Sequence, residues 1–290
     1  MYHKNQNPHF IIVADVGGSH ITSGVYQIEK KLLLANSIVR RDIDSLASSK
    51  IILDIFKSSL QESASKAKVK VEAIALAMPG PFDYDEGISY IKGLNKFESL
   101  YGLSIKNELS DFFGIDKELV VFRNDAECCI VGEIMASTAK DESITLGITL
   151  GTGFGSALSR GGVTKDINLS AAPFKSGIAD EYFSTRWFVS RFKKLTGTNI
   201  IGVKALLEWH DSELVKNLFS EFANNLIAFL KPIIEEEKIS NLIICGNIAK
   251  AQHLFLPHLI QNFKDVDVRL GVLGEYGAMI GASEHFSKQL

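Results

Sequence analysis

The chain has 290 residues, of which 46% are hydrophobic, 22% charged and 9% aromatic. This composition excludes extensive disorder, and the length predicts two domains of roughly 150 residues each. The net charge of −3 leaves no basic excess for binding nucleic acid or an anionic membrane. The three cysteines fit neither a disulfide framework nor paired zinc knuckles, and the N-terminus lacks a signal-peptide pattern. We therefore expect a cytoplasmic protein that does not cross a membrane.

Hydrophobic periodicity in the first half of the chain predicts an α/β domain with the element order βββαβαβα. The first two strands form a hairpin around the turn Gly17-Gly18-Ser19. Each predicted helix then leads into a short apolar strand. The predicted strands cover residues 10–15, 21–28, 32–39, 71–78 and 119–123, and the predicted helices cover residues 45–66, 104–113 and 124–139.

The pattern of strand, glycine turn and strand recurs in the second half, where residues 144–158 repeat the first hairpin around Gly151-Thr152-Gly153. Self-similarity at this separation indicates two related domains, and we predict a two-lobed α/β fold around a central cleft. The N-terminal lobe would be residues 1–118, closed by a C-terminal helix at 277–290, and the C-terminal lobe would be residues 119–276. Further helices are predicted over residues 179–195, 203–209, 211–237 (interrupted near Pro232) and 274–285, with a strand over residues 241–245.

Asp15 stands at the end of the first predicted strand, directly before the turn with two glycines. Glycines let backbone N–H groups approach an anion with no Cβ in the way, which suits a phosphate. The carboxylate would repel that phosphate unless a divalent cation lay between them, so the pair implies Mg²⁺ held through water. The alternative is an ordinary hairpin in which Asp15 caps its own turn.

A second glycine turn, Gly151-Thr152-Gly153, lies at the equivalent place in the repeat, and its Thr hydroxyl adds a donor. Two such turns in equivalent positions indicate phosphate binding more specifically than one, although both are also tight hairpins of a repeated fold. Neither turn is a P-loop, and no GxGxxG motif follows a strand.

Asn124 and Asp125 follow an apolar strand and begin a helix. One interpretation is that Asp125 is a helix N-cap. The other is that Asp125 is a general base, which takes the proton of a substrate hydroxyl as phosphate is transferred to it. Asn124 offers both a donor and an acceptor and so suits a sugar diol.

Several segments along the chain form one ordered set: Asp15-Val16-Gly17-Gly18-Ser19, Met78-Pro79-Gly80-Pro81, Asn124-Asp125, Leu150-Gly151-Thr152-Gly153, Ile244-Cys245-Gly246, and Leu-Gly-Glu-Tyr-Gly-Ala-Met-Ile-Gly-Ala at residues 273–282. Together they resemble the motifs of the ROK family (repressors, open reading frames and kinases). The resemblance implies the actin-like ATPase fold, which is ribonuclease H-like, with ATP and a sugar bound in the cleft. It also implies a homodimer as the common assembly.

Carried over to this sequence, the resemblance makes Asp125 the catalytic base and Asn124 a sugar ligand. Residues 93–97 take the place of the family's Asn-Leu-x-x-Trp sugar loop but lack its leading Asn, for which Asn95 is the substitute. The implied nucleotide-binding residues are Asp15, which also acts on Mg²⁺, Gly17, Gly18, Ser19, Gly151, Thr152, Gly153 and Gly246. The implied sugar-binding residues are Asn124, Asn95, Gly80, Asp180 and Glu181. Repressor members carry an N-terminal helix-turn-helix, whereas the first strand is predicted here at about residue 10, which disfavours DNA binding.

Residues 166–184 depart from the family pattern. Many members have a Gly-Glu-x-Gly-His segment and a cysteine-rich zinc knot there, followed by a Glu that contacts the sugar. This stretch has no Cys and no His, so we expect no structural zinc. Asp180 falls at the position of that Glu, and Glu181 is the adjacent candidate. The alternative is that both are part of a solvated helix start.

Together these features predict a glucokinase-like, ATP-dependent and Mg²⁺-dependent kinase that transfers the γ-phosphate to a hydroxyl of a hexose or related sugar. Its partners would be the sugar and ATP, with no nucleic acid and no membrane. The rival prediction is a ROK-family sugar- or nucleotide-binding protein without catalysis, which the missing zinc and histidine motifs favour.

Overall fold

The computed structural model describes residues 8–137 and 143–287. The chain folds into two compact units, Met1–Ala136 with Glu275–Leu290 and Ser137–Gly274, which are called the first unit and the second unit. The strands are β1 (Phe10–Val16), β2 (His20–Gln27), β3 (Leu32–Leu33), β4 (Val39–Asp42), β5 (Ala73–Met78), β6 (Phe82–Asp83), β7 (Ile88–Ser89), β8 (Val120–Asn124), β9 (Thr145–Leu150), β10 (Phe154–Arg160), β11 (Val163–Asp166), β12 (Pro173–Phe174), β13 (Gly177–Ile178), β14 (Asn241–Cys245) and β15 (Asp267–Leu270). The α-helices are α1 (Ser49–Ala67), α2 (Ile105–Phe113), α3 (Asp125–Met135), α4 (Thr185–Thr196), α5 (Gly202–Leu207), α6 (Ser212–Glu237), α7 (Leu256–Asn262), α8 (Gly277–Ala282) and α9 (Glu284–Ser287).

Each unit is built on a sheet with the same strand order. In the first unit the order is β3-β2-β1-β5-β8, with β4 also paired to β2, and in the second unit it is β11-β10-β9-β14-β15. The first two pairings in each sheet are antiparallel and the last two are parallel. The duplication predicted from the two glycine turns is therefore confirmed.

The two faces of the first sheet are covered by different helices. Successive side chains of a strand point to opposite faces, so Ile12 and Ala14 of β1 lie in a core that includes side chains of α1 and α2. Ile11 and Val13 lie in a second core with side chains of α8 and α9. This burial explains why the C-terminal segment belongs to the first unit.

The division between the units differs from the predicted boundary at residues 118 and 119. The first unit continues to Ala136, because β8 pairs in parallel with β5 and extends the first sheet. A boundary before Val120 would separate these two hydrogen-bonded strands.

Three predicted elements also differ in detail. The strand predicted over residues 32–39 is divided into β3 and β4 by the 3-10 turn Ala35–Ser37. The helix predicted over residues 179–195 begins only at Thr185, after the 3-10 turn Ala179–Glu181. Helix α6 continues through Pro232 without a break. The last residues of the helix predicted to residue 139 lie outside the described residues.

Within residues 8–137 and 143–287, the helices are all too short or too polar to cross a membrane.

Candidate active site

The first glycine turn joins β1 to β2 as a tight hairpin. The Gly17 N–H donates to the His20 carbonyl at 2.9 Å, while Gly18 and Ser19 are exposed. The Ser19 hydroxyl bonds to Nδ1 of His20 at 3.1 Å. The sequence thus forms the predicted hairpin with its glycine backbone open to solvent.

Asp15 lies half-buried directly before this turn. Burial, together with the charge of Asp125, raises the pKa of the Asp15 carboxyl from 3.8 to about 7. The Arg40 guanidinium opposes this rise, and the Glu275 carboxylate adds to it. The structure therefore brings Asp15 and Asp125 within electrostatic reach of each other.

Arg40 reaches Asp15 through strand register. Asp15 is paired with Thr22 on β2, and Thr22 is paired with Arg40 on β4. The Arg40 guanidinium donates to Thr22 Oγ1 at 3.5 Å and forms an ion pair with Glu275 at 3.0 Å. Sequence reasoning missed Arg40, since no motif marks a residue two strands away. Glu275 lies in the segment of residues 273–282 that resembles a family motif, but the motif does not mark its side chain as a contact of this site.

Asn124, and not Asp125, is the N-cap of α3. The Asn124 side-chain oxygen accepts the Glu127 N–H at 3.0 Å, and its amide donates to the Tyr84 hydroxyl at 3.2 Å. Asp125 is the first residue of the helix and accepts the Ala126 N–H at 2.9 Å. The capping role that was the alternative for Asp125 thus belongs to its neighbour, and Tyr84 is an additional contact that the sequence did not reveal.

Close helix packing fixes the position of α3, and with it Asp125. A Cβ at Gly281 of α8 would lie 1.8 Å from the Cys128 carbonyl oxygen, and one at Gly132 of α3 would lie 2.1 Å from the Gly277 carbonyl oxygen. Only glycine therefore lets the two helices cross at this distance. Cys128 is fully buried there.

The proposed sugar-loop residues lie in irregular segments of the first unit. Asn95 is exposed, has a left-handed backbone with φ of 52°, and its N–H donates to Glu98 at 3.0 Å. The next side chain, Lys96, passes 4.0 Å from the place that a Cβ of Gly18 would occupy. This contact brings the loop to the first glycine turn. A Cβ at Gly80 would lie 3.2 Å from the Tyr84 hydroxyl.

The second glycine turn joins β9 to β10 in the second unit. The Gly151 N–H donates to the Gly153 carbonyl at 3.0 Å, and Thr152 is exposed. Gly246 lies next to this turn, because a Cβ there would be 2.4 Å from the Leu150 carbonyl oxygen. Its φ of 92° also favours glycine.

Asp180 and Glu181 are both hydrogen-bonded within the second unit. Asp180 Oδ1 accepts the Phe154 N–H at 2.8 Å, and its other oxygen is paired with Arg186. Glu181 Oε2 accepts the Ile178 N–H at 3.3 Å. The interpretation of a merely solvated helix start does not describe Asp180, whose side chain is only 17% exposed.

The segment that departs from the family pattern forms the small hairpin of β12 and β13. Phe174 of this hairpin packs edge-on against Tyr182 at 5.1 Å and against Phe229 at 5.4 Å between ring centroids. The Lys175 ammonium donates to Asn225 at 2.5 Å. In the described parts of the chain, His, Cys, Asp and Glu side chains form no cluster of three or more suited to a metal ion.

The structure therefore gathers the predicted residues into two groups. Asp15, Asp125, the first glycine turn and the residue 93–97 loop lie in the first unit, whereas the second glycine turn, Gly246 and Asp180 lie in the second. Within each group the members are close in space although they are distant in sequence.

Comparison with known proteins gives a family and a fold. The ROK family model matches residues 11–165, which is more than half of the 290 residues. Curated protein sequences give no match.

Solved structures match over nearly the whole chain. A ROK family glucokinase from Streptomyces griseus, in complex with glucose and AMPPNP, is 19% identical with a TM-score of 0.77, covering 95% of this chain and 98% of that one. A ROK hexokinase from Thermus thermophilus is 19% identical with a TM-score of 0.74, covering 94% and 96%. A ROK family transcriptional regulator, a homologue of the E. coli MLC protein, is 15% identical with a TM-score of 0.78, covering 97% and 78%. At these identities the likeness concerns the fold, which is the two-lobed actin-like fold predicted from the sequence.

Proposed function

The chain belongs to the ROK family, and from this premise we propose that it is an ATP-dependent sugar kinase. It would transfer the γ-phosphate of ATP to a hydroxyl of a hexose or related sugar, as a glucokinase does. The observation that carries this proposal is the electrostatic proximity of Asp15 and Asp125. Asp15 lies beside the first glycine turn, which suits a nucleotide phosphate. Asp125 lies at the polar start of α3, which suits a sugar.

Asp125 is the proposed general base. It begins α3, so its carboxylate stands at the polar start of a helix whose packing against α8 holds it in place. A carboxylate within hydrogen-bond reach of the acceptor hydroxyl takes up its proton as the phosphoryl group is transferred. Asn124, Asn95, Gly80 and Glu181 are the proposed contacts of the sugar.

The nucleotide would be held by both glycine turns. We assign its phosphates to Gly17, Gly18 and Ser19 and to the turn Gly151-Thr152-Gly153, and its adenosine to the backbone at Gly246. Backbone N–H groups of such turns bind phosphate oxygens without a penalty from a side chain.

Mg²⁺ fits the residues around Asp15. The Asp125 charge contributes to the raised pKa of Asp15, so the two carboxylates form a negative site, which a divalent cation would relieve. The cation would be held by Asp15 mainly through water and by the phosphates, since Mg²⁺ retains several waters in phosphate sites. When bound, it would neutralise charge on the phosphates.

A second candidate function is sugar or nucleotide binding without catalysis. The observation that favours it is the altered segment of residues 166–184, together with the similarity in fold to a transcriptional regulator. Both glycine turns and both carboxylates are nevertheless present, which favours the kinase.

The two candidates differ in ADP release. We would incubate the protein with ATP and Mg²⁺ and measure ADP by a coupled assay across hexoses, amino sugars and acylated amino sugars. The kinase predicts ADP release that saturates with at least one sugar and stays at background without sugar. Saturable sugar binding with background ADP release throughout would contradict the kinase and support the binding protein.

A homodimer and a cytoplasmic location complete the proposal. The homodimer is common in the family that the sequence resembles, and the three free cysteines suit a reducing compartment. Light scattering of the purified protein would test the dimer.

A further inference from the structure

One short segment of the second unit is hydrogen-bonded to both ends of the second glycine turn. Asp180 Oδ1 accepts the N–H of Phe154, the residue directly after the turn, at 2.8 Å. Thr185 donates its N–H and its hydroxyl to the carbonyl of Gly151, each at 2.8 Å. Hydrogen bonds thus hold the turn at its first residue, Gly151, and at Phe154, the residue directly after the turn.

The Asp180 carboxylate is itself held in place. Its other oxygen is paired with Arg186 of α4, and the Asp180 side chain is 17% exposed while that of Arg186 is 68% exposed. A Cβ at Gly153 would lie 3.2 Å from Asp180 Oδ1. The glycine at position 153 therefore leaves room for the carboxylate to reach the backbone behind the turn.

We propose that Asp180 and Thr185 are positioning residues that hold the second glycine turn in the shape that receives the phosphates of ATP. This inference rests on the proposed function, because it takes the turn to be a nucleotide-binding element. A turn that is already ordered loses less conformational freedom when its backbone binds a ligand. Asp180 then acts on the affinity for the nucleotide, whereas the family resemblance assigns the same position to the sugar.

Asp180 also has the chemistry for a backbone contact. Its side chain is one methylene shorter than that of Glu, so it reaches the N–H of Phe154 at a distance normal for a charge-assisted hydrogen bond. Both carboxylate oxygens are engaged by groups of the second unit, Phe154 and Arg186. A sugar hydroxyl would have to compete with these two partners.

Asp180→Ala separates the two assignments. The variant loses the acceptor for the Phe154 N–H, and we expect the KM for ATP and the Kd for AMPPNP from calorimetry to rise roughly tenfold. The KM for the sugar should stay within about twofold. A rise in the KM for the sugar with an unchanged Kd for AMPPNP would overturn the inference in favour of a sugar contact.

Two further variants keep the test informative if Asp180→Ala folds poorly. Asp180→Asn retains an oxygen that accepts the Phe154 N–H, so it should recover most of the affinity for AMPPNP. Thr185→Val loses only the hydroxyl bond to Gly151 and should weaken AMPPNP binding by a smaller factor than Asp180→Ala. If Thr185→Val binds AMPPNP as tightly as the unaltered chain, or if Asp180→Asn folds correctly but loses as much AMPPNP affinity as is expected for Asp180→Ala, the inference is overturned.

Asp211→Ala is the matched control. Asp211 accepts the N–H groups of Glu213 and Leu214 at 3.1 Å at the start of α6, so its loss removes the same kind of bond from another place in the second unit. We expect a lower melting temperature and unchanged constants for ATP, AMPPNP and sugar. An equal loss of AMPPNP affinity in Asp211→Ala and Asp180→Ala would show a general stability effect and contradict the positioning role.

Failure of the inference and failure of the proposed kinase are separate results. The kinase fails if the unaltered protein releases no ADP with any sugar. The positioning role fails if Asp180→Ala, correctly folded, binds AMPPNP with unaltered affinity, or if the unaltered protein does not bind AMPPNP.

Discussion

Asp15 lies half-buried near the Asp125 charge, and its pKa is raised to about 7 for these reasons. Near neutral pH a substantial part of the ligand-free protein therefore holds a proton on Asp15. Arg40 limits the rise, because its charge favours the ionised carboxylate. A cation bound at Asp15 would favour ionisation further, so we expect Mg²⁺ binding to release protons below about pH 7.

The raised pKa predicts a specific pH dependence of stability. The folded chain holds the Asp15 proton up to about pH 7, whereas the unfolded chain releases it near the ordinary value of 3.8. The stability that Asp15 contributes is therefore present below its unfolded-state pKa of 3.8, and it is lost as the pH rises through its folded-state pKa of about 7. Asp15→Asn removes the effect and should be more stable than the unaltered protein at pH 8, by about 1–3 kcal/mol, but not at pH 4.

Urea unfolding of both proteins without Mg²⁺ at pH 4, 6 and 8 measures this difference. Asp111→Asn, which changes an exposed carboxylate on α2, serves as the control and should follow the unaltered protein. A constant difference between Asp15→Asn and the unaltered protein from pH 4 to pH 8 would contradict a raised pKa at Asp15.

Single residues could be predicted where a local motif marks them. Asp15 and Asp125 each end or begin an apolar element, and the structure brings their charges together. Arg40 could not be predicted, because it reaches Asp15 only through the register of β4 on β2 and of β2 on β1. The capping role of Asn124 was given to its neighbour, since either residue type is a good N-cap.

At the scale of elements, the crossing of α3 and α8 connects the C-terminal segment to Asp125, the proposed general base. The two helices approach so closely that a side chain at Gly281 would collide with the backbone at Cys128. Helix α8 also buries Ala278 and Met279 against the first sheet. The position of Asp125 therefore depends on Gly281, which is more than 150 residues away in sequence.

Gly281→Ala should strongly destabilise the first unit. Its Cβ would lie 1.8 Å from the Cys128 carbonyl oxygen, so α3 and α8 must separate, at a cost of about 3 kcal/mol or more. Because Asp125 moves with α3, kcat should also fall. The midpoint of urea unfolding measures the first effect and the ADP-release assay the second.

Gly114→Ala is the control for glycine replacement as such. Gly114 has a φ of +62° and nothing within 4 Å of its Cβ position, so the change should cost only about 1 kcal/mol. If Gly281→Ala unfolds at the same urea concentration as Gly114→Ala, the helices are not held by close contact.

Local pattern predicted most elements but not their interruptions. The strand predicted over residues 32–39 is apolar enough to be continuous, yet the Ser37 hydroxyl donates to the Leu34 carbonyl at 2.6 Å within a 3-10 turn. Helix α6 continues through Pro232 because Phe229, Leu230 and Ile234 around it are buried. Tertiary packing there outweighs the cost of proline.

For the whole molecule, the repeated sheet order was predictable because each hairpin turn carries its own glycine signal and each strand its own apolar run. The inclusion of residues 119–136 in the first unit was not, because it depends on the pairing of β8 with β5. Such pairings join residues far apart in sequence and leave no local pattern. The same limit applies to the contacts of Asp180 with Phe154, 26 positions away.

Our proposal is a transfer of phosphate to a sugar with Asp125 as the general base. The most direct measurement compares kcat of the unaltered protein and Asp125→Asn with the sugar that releases most ADP. We expect a loss of about 10²–10⁴ in kcat, with the melting temperature and AMPPNP affinity retained, while Asp116→Asn, an exposed capping residue of the same unit, keeps normal turnover. Near-normal turnover by a correctly folded Asp125→Asn would contradict the claim.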